Sequence, residues 1–115
     1  MWKWNIENEE YLSKTIERCK EKKIILPTFK QLKKPSTIPK EIQEKLRDID
    51  IQEAHSLNLF RINWRNNPSN GRIGDINYLE IPKEITGVKA RIIGLVGKHF
   101  PTGAHKVGAT YGCLA

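Results

Sequence analysis

The chain has 115 residues, of which 38% are hydrophobic and 29% charged, and 20 basic against 13 acidic side chains give a net charge of +7. That length suits one small domain rather than two, and the apolar share excludes a disordered polyelectrolyte. No apolar run reaches the length of a membrane span and MWKWNIENEE lacks the apolar stretch of an export signal, so a cytoplasmic protein with no membrane association is expected.

The first half is rich in Lys, Glu and Ile, a helical composition, and contains no glycine. Asn5 is a candidate N-cap, after which Leu12, Ile16 and Cys19 recur at helical spacing. Pro27 in ILP ends that helix, TFKQLKK offers a further short turn, and Ser36-Thr37-Ile38-Pro39 reads as a second helix start. Ile38, Ile42, Leu46 and Ile49 form its narrow apolar stripe, and Trp2 and Trp4 are expected to pack this helical lead onto the body. The lead is taken as residues 1–57, with a second part over residues 58–115.

From Leu59 the period shifts to two. In LFRINWR, Phe60, Ile62 and Trp64 alternate with Arg61, Asn63 and Arg65, as in a half-buried strand. NNPSNG supplies turn chemistry and INYLEI resumes as the partner strand of a hairpin. VKARIIGLVG reads as a third strand whose continuous apolar end suits a parallel sheet covered on both faces. The loop GKHFPTG follows, and AHKVGATYGCLA opens a helix. Strand, loop and helix start make half of a βαβ unit, which leaves Tyr111, Leu114 and Ala115 with little to pack against. The chain is therefore expected to be the N-terminal part of something longer, of α/β class with an incomplete sheet.

The charge is uneven: residues 1–60 carry 12 basic and 10 acidic side chains, residues 61–115 carry 8 and 3. Such an excess attracts nucleic acid, an anionic membrane or a phosphorylated small molecule, and does not choose among them. Arg61 and Arg65 interleaved with aromatics could face nucleic acid, although a solvated strand face is the plainer account. Cys19 and Cys113 are isolated and read as free thiols; His55 and His99 lack metal-ligand spacing, so no metal is expected. GLVGKH fails the phosphate-loop spacing and has His99 where Ser or Thr is required, and the glycines miss the dinucleotide fingerprint.

What remains is Thr102-Gly103-Ala104-His105-Lys106, after a strand and at a helix start. This segment resembles the cofactor-lysine segment of fold type II (β family) pyridoxal-phosphate enzymes, the family of tryptophan synthase β-like and cysteine synthase-like proteins. The resemblance covers roughly residues 88–115 and implies the N-terminal part of that fold, with pyridoxal 5'-phosphate as cofactor. It implies that Lys106 forms the internal Schiff base, that His105 lies beside the cofactor phosphate, and that Thr102 and Gly103 let the loop turn beneath it. A lysine attacks an aldehyde as the free amine, a form favoured by partial burial and nearby cations, which His105, the helix start and the strand end are expected to supply. The implied reaction is β-replacement or β-elimination on a small amino acid by a homodimeric lyase or transferase, with the 115-residue chain alone inactive.

Two departures point away from the tryptophan synthase branch. Gly94-Leu95-Val96-Gly97-Lys98 stands where those proteins carry a charged segment, and Phe100-Pro101 replaces their Asn-His. In the family the glycine-rich phosphate loop and the pyridine-nitrogen contact lie downstream of this segment. The competing reading is a small basic nucleic-acid-binding module; it rests on charge alone, so no nucleic-acid partner is expected.

Overall fold

The computed structural model describes residues 6–114. The expected cap Asn5, Trp2, Trp4 and Ala115 lie outside the described residues. Helices and a small two-stranded antiparallel sheet share the chain.

Helix α1 spans Glu9–Glu21, and its N-cap is Asn8, whose side chain accepts from the Tyr11 backbone N–H. The helix stops at Lys22, followed by Lys23 at φ 53°, before the proline is reached. A left-handed residue just past a helix end is ordinary there. Helix α2 covers Phe29–Lys33 and starts with a capping box in which Thr28 and Gln31 satisfy each other's backbone N–H. A 3-10 turn at Pro35–Thr37 leads into α3, Lys40–Lys45, with Pro39 at its N-cap. The expected stripe is the core: Ile38, Ile42 and Leu46 are buried and pack with Phe60, Leu57 and Ile73. Phe60 therefore joins residues on both sides of position 57 into one cluster.

LFRINWR is not a strand. Ser56–Arg61 winds as a 3-10 helix, and Arg61 and Asn63 are buried beside Phe60 and Ile62 instead of facing water. The reason lies in the polar side chains, which satisfy backbone groups locally in place of a sheet ladder. Asn58 Nδ2 donates to the carbonyls of Asp50 and Glu53, and Asn63 Nδ2 donates to that of Phe60. Asn66, fully buried, donates through Nδ2 to the carbonyls of Arg61 and His99, at 2.7 and 2.8 Å. Of the expected hairpin only one bridge survives, Asn66 to Ile73, around the NNPSNG turn.

The real strand pair is β1, Tyr78–Ile81, with β2, Ile92–Leu95, antiparallel in the register Tyr78–Leu95 to Ile81–Ile92. The short helix α4, Lys83–Thr86, lies between them and closes on Gly87, whose φ of 66° a side chain would resist. Across the pair, Arg91 grips Glu80 with two parallel hydrogen bonds of 2.9 and 2.8 Å. The apolar run of β2 is thus not covered on both faces in a parallel sheet: Ile93 and Leu95 are exposed, as are Tyr78 and Leu79. A run of apolar residues does not itself say which strand it pairs with, or in which direction. Two 3-10 turns, Gly97–His99 and Pro101–Gly103, then carry the chain to α5, Lys106–Leu114. Among the described residues no helix is long and apolar enough to cross a membrane.

Candidate functional site

The order strand, loop, helix around TGAHK is present, as β2, two tight turns and α5. Thr102 sits at φ 68° and ψ 2°, and Gly103 at φ 73°. Two successive left-handed residues reverse the chain, and the Gly103 N–H donates to the Phe100 carbonyl at 3.0 Å. At Gly103 the conformation is free, whereas at Thr102 it costs about 1 kcal/mol or more, so surrounding structure must hold it there. Buried Phe100 and Pro101 are the anchor on the incoming side.

His105 is held by two neighbours. Its ring stacks on Trp64 at 5.7 Å between centroids, and Trp64 meets Phe100 edge-on at 4.8 Å. The other side abuts Gly97, where a Cβ would lie 2.8 Å from Nδ1, so a side chain at 97 would displace the imidazole. Gly97 is therefore required by His105.

Lys106 is the first residue of α5. Its side chain is exposed and enters none of the ion pairs found among the described residues. The burial expected from a strand end is thus not provided here, where two tight turns separate β2 from Lys106. Thr102, Gly103 and His105 are exposed as well, and the four residues occupy one continuous turn.

Helix α5 is fixed to the body on its opposite side. Tyr111 is half-buried, its hydroxyl donating to the Pro27 carbonyl at 2.8 Å, and its ring meets Phe29 edge-on at 6.0 Å. Burial raises the phenol above its ordinary pKa. Gly108 lets the helix approach Ile62, whose Cγ2 would touch a Cβ at 3.4 Å. The expectation that Tyr111 lacks a packing partner is corrected, while Leu114 is 83% exposed. Between α2, Trp64 and α5 lies an open groove of about 310 Å³ lined by Phe29, Leu32, Ile62, Phe100 and Tyr111.

The remaining candidates fall elsewhere. His55 Nδ1 accepts from the Leu57 N–H as a helix cap, and the His99 carbonyl serves Asn66. Cys19 is half-buried and Cys113 exposed, both as free thiols. Arg61 is buried and bonded inward, so the alternating basic and aromatic face once open to nucleic acid does not exist. Among the described residues no cluster of three or more His, Cys, Asp or Glu could hold a metal. The roles of Trp64 and Gly97 escaped the sequence reading, which placed one in a strand and the other in a loop without a partner. No protein-family model, curated protein or solved structure matches this chain.

Proposed function

We propose that this chain carries the tethering lysine of a pyridoxal-phosphate-dependent enzyme of fold type II, as the N-terminal portion of that enzyme. The observation that carries the reading is the TGAHK turn: an accessible primary amine on the first residue of a helix, after a strained left-handed threonine, with the adjacent imidazole fixed by Trp64 and Gly97. Strain retained at an exposed turn is commonly kept for function. The donor set fits the aldehyde end of the cofactor, since Lys106 Nζ is accessible and the space beside Gly103 is open.

Lys106 would hold the cofactor covalently, with His105 and the backbone N–H groups at the start of α5 on its phosphate side. When bound, the cofactor's pyridine ring draws electrons from the substrate Cα. As a free amine, Lys106 Nζ would serve as the base that takes the proton from the substrate Cα. The stack of His105 on Trp64 would hold the turn, and with it Lys106, in one place. The substrate class is a small amino acid, with β-replacement or β-elimination as the reaction and a homodimer as the assembly. The glycine-rich phosphate loop lies downstream in this family, so the isolated 115-residue chain should not retain the cofactor through gel filtration.

The experiment is a visible spectrum of the complete gene product with pyridoxal phosphate. The wild type should bind the cofactor and absorb in the visible, and Lys106→Ala should lose that band while remaining folded. A variant that keeps the band unchanged would refute the assignment.

A further inference from the structure

A second candidate site is built around a buried cation, Arg61. Arg61 is 3% exposed, yet it enters no ion pair among the described residues. Its guanidinium is fixed by four hydrogen bonds: Nε to the Gly71 carbonyl at 3.1 Å, Nη1 to the Ile49 carbonyl and Asn58 Oδ1 at 2.7 Å each, and Nη2 to the Leu46 carbonyl at 2.6 Å. A guanidinium has five N–H donors, so one on Nη2 is unused. Burial lowers the pKa of this group and nearby Asp50 opposes that shift. The Asp50 carboxylate itself accepts from the Gln52 N–H and lines a larger adjoining cleft, which Arg47, Arg61 and Gly71 also line.

Beside the guanidinium is a cleft of about 190 Å³, several times the volume of one water, lined by Gln43, Arg47, Phe60, Arg61, Arg72 and Ile73. Three arginines and no carboxylate form its wall. The Gly71 backbone closes one side at φ 64°, where a Cβ would crowd Arg61 Nη2 at 3.2 Å. A cation taken out of water without a counter-charge is costly, and an anion in this cleft would relieve that cost. Arginine forks match the oxygen spacing of phosphate, and the exposed Arg47 and Arg72 can each offer one beside the single free N–H of the fixed Arg61. Phe60 and Ile73 add apolar lining to the cleft and tie it to the core.

We propose that the cleft between Arg47, Arg61 and Arg72 binds a small tetrahedral oxyanion, either phosphate or the phosphate group of a small phosphomonoester. This site is independent of Lys106 and of the cofactor reading. The test uses the 115-residue chain without pyridoxal phosphate, following thermal unfolding against added inorganic phosphate and, separately, glycerol phosphate, at an ionic strength held constant with sodium chloride. A ligand bound only by the folded state raises the midpoint saturably. Saturation by both supports a phosphomonoester site, and saturation by inorganic phosphate alone supports a free-phosphate site. The double variant Arg47→Gln/Arg72→Gln should weaken binding by about tenfold or more, the worth of one charge-assisted hydrogen bond. As a second readout on the wild type, the Arg61 Nε–H resonance should move along the same saturation curve. The proposal is overturned by a midpoint rise equal in the double variant, by a rise reproduced with acetate, by no saturable rise at all, or by an Arg61 resonance that stays still as phosphate saturates.

Discussion

Residues 58–66 and residues 97–106 are both irregular segments, yet they are opposite kinds of structure. In the first, asparagine and arginine side chains turn inward and complete the backbone hydrogen bonding; Asn58, Arg61, Asn63 and Asn66 are all buried. In the second, Thr102, Gly103, His105 and Lys106 all lie at the surface, and the strain at Thr102 is borne by buried Phe100 and Pro101 on one side and the anchored α5 on the other. The first segment is a scaffold whose polar groups are mostly used internally, one Arg61 N–H and Asn66 Oδ1 excepted. The second leaves its polar groups unspent, which is the condition for meeting a ligand.

The contrast can be broken first at the scaffold. Phe60→Ala removes a ring that is 1% exposed at the centre of the core and should cost about 3–5 kcal/mol, read from the denaturant midpoint. Asn66→Ala should cost about 2–3 kcal/mol, because the carbonyls of Arg61 and His99 lose their buried donor. That figure is tempered by the Asn66 Oδ1 atom, which is buried without a partner and whose removal regains part of the loss. Lys106→Ala, by contrast, should change stability by no more than about 0.5 kcal/mol, as for other exposed side chains. A large stability loss at Lys106, or none at Asn66, would erase the distinction between scaffold and site.

The smallest effect sharpens it at the strand pair. The Arg91 hydrogen bonds hold the Glu80 carboxyl below its usual pKa. A carboxyl with a depressed folded pKa contributes stability above its unfolded pKa and loses it as pH falls through the folded value. The melting-temperature gap between wild type and Glu80→Gln should therefore be present at neutral pH and vanish in acid below the ordinary glutamate range. Because both side chains are exposed, the gap should also shrink in high salt. A gap that persists in acid would mean that Gln fails for a reason other than charge.

How much of this was legible follows the same division. The short helical turn in TFKQLKK, the stripe Ile38-Ile42-Leu46 and the helix opening at TGAHK could be read because their signals are local in sequence. LFRINWR could not, since its alternation of polarity mimics a strand while its asparagines and arginine bond to backbone carbonyls that periodicity does not reveal. The β2 run was recognisable as a strand, but its antiparallel partner is decided by pairing across a connector holding α4. At the candidate site the four motif residues were singled out by the resemblance of TGAHK to a cofactor-lysine segment. Trp64 and Gly97, which hold His105, were not, because stacking and a missing Cβ are tertiary facts. The three-arginine cleft was also hidden, since it forms only once Arg61 is folded inward.

The central claim is that the exposed amine at the start of α5 is the covalent anchor of the cofactor. Its most direct test is borohydride reduction of the complete gene product loaded with pyridoxal phosphate, followed by peptide mapping by mass spectrometry. The account predicts one stoichiometric pyridoxyl label, on the peptide containing Lys106. A stoichiometric label on any other lysine, with Lys106 unmodified, would contradict it.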